Sequence, residues 1–314
     1  MSVSRILRRK APSRVTLFTV PKPFRGHIGV IQRNAIGSWL RLGPNREVVL
    51  FGDEEGADEA AHELGVRHVP TVVRNEFGTP LLSSVFDQVG ALAQEGALCY
   101  VNSDIVLLDD FVPALRRVQA RRYRYLMIGQ CWDGTLDWPV DFDDARWQDR
   151  LRELLTTTEL RHKWSIDYFA FPSGLYGKVP PFAIGRAWFD NWLVWRAREL
   201  GAAVVDATPA VTAIHQRHDY AHVSGGQDWA YKGPEATENL RIAGGRGHVG
   251  SIRDAPYVLT RRRLRRRPSP LTFDYHWERW LRRVVWAVYA FTRPIRHRLG
   301  IRAGMFDALR SRLR

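Results

Sequence analysis

Asn102-Ser103-Asp104 interrupts an apolar run, LCYVNSDIVLL, that otherwise reads as the interior of a fold. A lone carboxylate among such residues is costly to bury unless a cation or several donors meet it. A hard divalent cation shared with a diphosphate would meet that need for Asp104. A strand-end Asn/Asp turn is the plainer alternative. A second cluster, AIHQRHDYAH, gathers His215, His218, Asp219 and His222, three of the ten histidines in the chain. Metal ligation, a phosphate contact and proton shuttling all fit it. Its spacing is neither HExxH nor that of a zinc finger. Asp190, in GRAWFDNWLVW, stands near a helix start. The helix dipole alone favours an acid there. The chemical alternative is a general base at the mouth of a pocket lined by Trp188 and Trp192, tryptophans that fit a core equally well. Asp167, in SIDYFAFPSG, carries the same two readings. Asp53 follows the run EVVLF and suits either a ribose or base contact or a loop acid. There is no GxGxxG and no P-loop.

The elements that position these residues follow from hydrophobic periodicity. VTLFTV (15–20), EVVLF (47–51), ALCYV (97–101), YLMI (125–128) and AVVD (203–206) are short apolar runs that predict strands, with VTAI (211–214) a further short one. Ile28, Ile31, Ala35, Trp39 and Leu42 recur at helical steps before Gly43, and helices are predicted over 57–64, 82–95, 111–120 and 188–200. Alternating strands and helices with continuously apolar strands point to a parallel sheet covered on both faces. In such sheets ligands sit at the carboxyl ends of the strands. That places Thr19 to Lys22, Gly52 to Glu55 and Asn102 to Asp104 at the candidate site.

The net charge of +14 belongs to the ends. Residues 261–314 hold sixteen Arg, no Lys and three acids, and residues 1–14 hold five bases and no acid, so residues 15–260 are mildly acidic at −4. A nucleic-acid enzyme would more often carry its bases along the body, so no nucleic acid is expected as partner. Two cysteines, Cys99 and Cys131, in apolar surroundings predict no disulfide framework and a reducing, cytoplasmic setting. The apolar stretch after the basic start is too short for a signal peptide, and no run is long enough to span a bilayer. The segment FDYHWERWLRRVVWAVYAFTRP, rich in Trp and Arg, predicts a basic amphipathic helix lying at the inner face of an anionic membrane. A helix packed on the body or on a partner is the alternative. The resulting division is a basic tail at 1–14, a catalytic domain at 15–258, an Arg-rich linker at 259–270 and the helical tail at 271–314.

FTVPKPF, IQRNAIGSWLRL, VVLFGDEEG, CYVNSDIVL, SIDYFAFPSGLYG, PPFAIGRAWFDNW, HQRHDYAH and GPEATENLRIAGG, in this order, make residues 15–258 resemble a family-2-like group of glycosyltransferases with the GT-A (nucleotide-diphospho-sugar transferase) fold. The resemblance implies an α/β architecture with a Rossmann-type, mostly parallel sheet and helices on both faces. It implies transfer of a hexosyl-type group from a nucleotide-diphospho-sugar to a hydroxyl acceptor, with Mn2+ or Mg2+ as cofactor. Asn102-Ser103-Asp104 stands where these enzymes carry a DxD motif, which leaves Asp104 as the metal ligand, completed by His215 or His218. Thr19, Pro21, Arg33, Asp53, Asn102 and Ser103 would bind the nucleotide-sugar, with Asp53 toward the base. Asp190, in an xED-like segment, would take the acceptor proton, with Asp167 as the second catalytic acid. A single base implies inversion. With a membrane tail, the acceptor would be a glycan or a lipid-linked precursor. Two rival readings are a sugar-nucleotide nucleotidyltransferase, for which VPKPFRGHIG is a poor Gly/Lys loop, and a non-catalytic module binding membrane or RNA.

Overall fold

The computed structural model describes residues 14–93, 95–218 and 226–267, together with Val284 and Phe291. The chain divides into two compact units, Met1–Arg267 and Pro268–Arg314. Asp219, His222, the basic start at 1–13 and the tail apart from Val284 and Phe291 lie outside the described residues.

In chain order the first unit contains β1 (Val15–Thr19), α1 (Gly26–Trp39), β2 (Arg46–Phe51), α2 (Ala57–Leu64), β3 (Arg67–Val69), α3 (Leu82–Leu92), β4 (Ala97–Val101), β5 (Ile105–Leu107), α4 (Phe111–Gln119), β6 (Tyr125–Ile128) and β7 (Trp132–Gly134). It continues through α5 (Trp147–Leu154), β8 (Tyr168–Pro172), α6 (Phe189–Glu199), β9 (Ala203–Asp206), β10 (Ala213–Gln216), α7 (Gly226–Lys232), α8 (Pro234–Ile242), β11 (Tyr257–Leu259) and β12 (Leu264–Arg266). Nine strands form one sheet in the order β12-β11-β9-β6-β8-β4-β1-β2-β3. The pairs β1–β2, β1–β4, β2–β3, β6–β9 and β9–β11 are parallel, while β8 runs antiparallel to both β4 and β6. The sheet is mostly parallel, as the strand–helix alternation requires.

Successive strand side chains point to opposite faces, and here both faces are apolar. Val15, Leu17, Val48, Leu50, Cys99 and Met127 pack with α1 and α4 through Ile36, Trp39, Phe111 and Leu115. Phe18, Val49, Phe51, Tyr100 and Ile128 pack with α3 and α6 through Val85, Phe86, Trp192 and Leu193. Helices therefore cover both faces. Trp192 is 5% exposed and packs at a tilt against Phe182, so it belongs to the core.

A second, three-stranded sheet in the order β5-β10-β7 lies against α1. Trp39 anchors it by donating its indole N–H to the Ile105 carbonyl at 2.8 Å. The arginine run 261–267, expected within a linker, includes β12, an edge strand antiparallel to β11. An edge strand has one free side, so solvated arginines are tolerated there and discourage further pairing.

Candidate active site

β1, β2 and β4 are mutually parallel, so Thr19, Phe51 and Val101 end at one edge of the sheet. β8 is antiparallel to β4 and pairs Tyr168 with Val101, which brings Asp167 to the same edge. Beyond β4 the chain turns tightly, with the Ile105 N–H donating to the Asn102 carbonyl at 3.1 Å, and enters β5. β10 pairs His215 with Ile105 on one side and with Asp133 of β7 on the other. That register sets His215 beside Asp104. His215 was expected after its strand and lies within it, because β10 spans Ala213–Gln216 rather than 211–214.

The histidines close around the carboxylate. His218 Nε2 lies 2.9 Å from Asp104 Oδ2. Ligand atoms of Asp104, His215 and His218 all fall within 4.8 Å of one another. His215 Nδ1 meets Asp133 Oδ1 at 2.9 Å, and Arg217 holds the other Asp133 oxygen at 2.8 Å. These partners hold the Asp133 carboxyl down at about 2, the His215 contact contributing most. A carboxylate behind a histidine fixes the ring and leaves its far nitrogen for a ligand. Burial by itself would raise the Asp104 acid; Lys22, His218 and His215 reverse this and hold it well below the ordinary carboxylate range.

The donor set fits a divalent cation. Asp104 Oδ1 is buried without a hydrogen-bond partner. The 2.9 Å separation of Oδ2 and Nε2 is close to the roughly 3 Å between neighbouring octahedral ligands each about 2.1 Å from an ion.

Asp190 is tuned the opposite way. Burial, reinforced by the charge of Asp167 and opposed by backbone hydrogen bonds, pushes it up to about 7. It stands in the first turn of α6, where its Oδ1 accepts the Asn191 N–H at 2.8 Å. The preceding Trp188 has φ 88, the one non-glycine positive φ among the described residues. Such backbone strain is held only where surrounding structure enforces it, and it concentrates at functional sites. The enforcement is visible: Asn191 Nδ2 donates to the carbonyls of Trp164 and Gly250, and Phe189 packs edge-on against Tyr100. The Tyr100 hydroxyl is pushed up by burial and then by the charges of Asp104, Asp190 and Asp167.

Asp167 is committed on both oxygens. It accepts from Asn102 Nδ2 at 3.1 Å and from Arg161 Nη1 at 2.8 Å. Ser103 donates to Gln32 Oε1 at 2.8 Å. Thr19 and Pro21 are buried, and the Thr19 hydroxyl has no partner. Asp53 lies exposed at the carboxyl end of β2, where its Oδ1 is bound by Arg74, whose hydrogen bond lowers the acid. Gly52 makes this exit possible, with φ 98 in the region that favours glycine. Arg33 pairs with Glu63 of α2 at 2.8 Å, so its guanidinium is occupied between helices.

Several contributors carried no sequence assignment. Gln32, Asn34 and Gln216 are buried polar residues behind the site. Gln216 Nε2 donates to the carbonyls of Asp104 at 3.1 Å and Ile31 at 2.7 Å, and its Oε1 accepts from Asn34 at 3.0 Å. The available signal was Gln32, one turn from Ile28 and next to Ile31 on the apolar stripe of α1.

No protein-family model matches the chain, and no curated protein sequence matches it. Solved structures similar to it include glucosyl-3-phosphoglycerate synthase from Mycobacterium tuberculosis in complex with Mg2+ and uridine diphosphate, at 16% identity over 67% of this chain and 73% of that one, TM-score 0.41. They also include a mannosyltransferase from Pyrobaculum calidifontis in complex with GDP-Man and Mn2+, at 12% identity over 76% of this chain and 63% of that one, TM-score 0.42. At these scores the superpositions are partial. No helix among the described residues is long and apolar enough to cross a membrane.

Proposed function

We propose that the chain is a metal-dependent glycosyltransferase that moves a sugar from a nucleotide-diphospho-sugar to a hydroxyl acceptor. The observation that carries this reading is the cluster of Asp104, His215 and His218, whose ligand atoms lie within 4.8 Å of one another, joined by the opposite tuning of two carboxylates: Asp104 held low among Lys22, His215 and His218, and Asp190 raised to about 7. Environments that push two acids apart assign them separate tasks.

Asp104, His215 and His218 would hold Mn2+ or Mg2+, which when bound neutralises charge on the departing diphosphate. Asp133 orients His215, while Asn102, fixed by Asp167, and Ser103, fixed by Gln32, shape the turn that presents Asp104. Asp190 accepts the proton of the acceptor hydroxyl as that oxygen bonds to the anomeric carbon and the carbon–diphosphate bond breaks. A general base with its acid near neutrality contributes roughly 10²–10⁴-fold. Attack directed by one base, with Asp167 committed to Asn102 and Arg161, gives inversion. Asp53 and the buried Thr19 and Pro21 at the strand ends form the nucleotide side of the site.

For the tail, the Trp- and Arg-rich composition of FDYHWERWLRRVVWAVYAFTRP supports a surface-seeking helix. We place the enzyme at the inner membrane face with a glycan or lipid-linked acceptor. The decisive assay incubates UDP- and GDP-sugars with Mn2+ and follows nucleoside diphosphate release and product anomer. Release lost in Asp104→Asn and Asp190→Asn supports the reading. Pyrophosphate release from a sugar phosphate and a nucleoside triphosphate would replace it with nucleotidyl transfer, and a product of retained configuration would remove inversion.

A further inference from the structure

Lys22 lies just beyond β1, and one buried side chain holds its backbone on both sides. Its N–H donates to Gln32 Oε1 at 2.7 Å, and its carbonyl accepts from Gln32 Nε2 at 2.8 Å. The same Gln32 Oε1 accepts from Ser103, so Lys22 is tied to the turn that carries Asp104. From this fixed base the Lys22 ammonium reaches Asp104 Oδ2 at 3.2 Å and His218 Nε2 at 2.8 Å.

Lys22 Nζ, Asp104 Oδ2 and His218 Nε2 thus form a triangle, closed by the 2.9 Å His218–Asp104 edge. A triangle of this composition cannot satisfy all three edges with hydrogen bonds. With a proton on Nε2, the imidazole donates to Asp104 and faces the ammonium donor to donor. Without it, the ammonium donates to both, and two acceptors face each other across 2.9 Å. The second state is the arrangement of two ligands around a cation. Lys22 therefore occupies the space between the atoms to which the cation site is assigned, and its charge neutralises a carboxylate that would otherwise be buried alone.

We propose that Lys22 is the resident counter-cation of this site: its ammonium bridges Asp104 and His218 when no divalent ion is bound, and a divalent ion must displace it to bind. The inference rests on the proposed cation site. Binding of the ion alone is weakened by the two Lys22 contacts that must break. Binding together with a diphosphate gives the displaced ammonium an anion to pair with, so ion and nucleotide favour each other's binding, a reciprocal coupling.

The test is Mn2+ binding to the whole protein without nucleotide, followed by electron paramagnetic resonance of the free ion, in the wild type, Lys22→Met, Lys22→Arg and His218→Ala. Lys22→Met is expected to bind Mn2+ about tenfold more tightly than wild type or better. Lys22→Arg, which keeps the charge, stays near wild type, and His218→Ala binds more weakly. Metal-free Lys22→Met should also melt lower than wild type and gain more melting temperature from Mn2+. If Lys22→Met does not fold, Lys22→Gln, neutral but still a donor to Asp104, takes its place. Mn2+ affinity in a folded neutral variant equal to or below that of wild type overturns the displacement role, and with His218→Ala still weakened it leaves the cation site standing. No Mn2+ binding by any of the proteins overturns both.

Discussion

Asp190→Asn separates the proposed base from a merely capping acid by stability alone. The Asp190 carboxyl is pushed from an ordinary 3.8 up to about 7 by burial. At about 1.36 kcal/mol per pH unit, this sets a ceiling near 4 kcal/mol on the cost of ionising it in the folded protein, and solvent reaching the half-buried side chain lowers that to about 2–4 kcal/mol. The sign follows from a raised folded value. Below about pH 4 the group is protonated whether folded or unfolded and contributes nothing. Between pH 4 and 7 the unfolded chain ionises first, so wild-type stability falls, and above about 7 the full penalty is present. The amide introduced by Asp190→Asn does not ionise in this range. Urea unfolding followed by tryptophan fluorescence from pH 4 to 8 should therefore show the variant gaining about 2–4 kcal/mol on wild type across that range, while losing transfer activity. Wild-type rates should rise with pH through an apparent value near 7 as the base ionises. Parallel stability curves for the two proteins would refute the assignment of an elevated acid at position 190.

Asp133→Asn removes the carboxylate behind His215 and should weaken Mn2+ binding about 10–100-fold with the fold intact by circular dichroism. Arg186→Met strands the buried Glu235, whose Oε2 accepts from Arg186 at 2.7 Å, and should cost about 3–5 kcal/mol in urea unfolding; much of that should return in Arg186→Met combined with Glu235→Gln. Truncation after Arg267, which spares β12, should move the protein out of the membrane fraction; a truncated protein that still sediments with membranes contradicts the tail's proposed role.

Strands and helices made from continuous or periodic apolar runs were legible in sequence. Ala57–Leu64, Ala97–Val101, Tyr125–Ile128 and Ala203–Asp206 begin and end where hydrophobicity predicts. β8 was not legible: Tyr168–Pro172 is an aromatic run with no alternation, and only its insertion between β4 and β6 makes it a strand. Asp104 was identifiable because a carboxylate amid apolar residues needs an explanation. Lys22 was legible only as the end of the Thr19 to Lys22 strand exit, without a role, and Asp133 not at all, because their roles arise from long-range contacts with His218 and His215. Gln32, Asn34 and Gln216 carry ordinary polar side chains, and nothing local distinguishes a buried amide that clamps the site from one facing water. The arginines of 261–267 suggest a linker by composition, yet pairing with β11 makes part of them an edge strand.

The central claim, that Asp104, His215 and His218 grip a cation shared with a diphosphate, is tested most directly by calorimetric titration of UDP and GDP with and without Mn2+, in wild type and Asp104→Asn. Binding of at least one of the two by wild type only in the presence of Mn2+, weakened about tenfold or more in Asp104→Asn, is the predicted result. Metal-independent binding that is unchanged in Asp104→Asn, or no binding of either nucleotide, would contradict it.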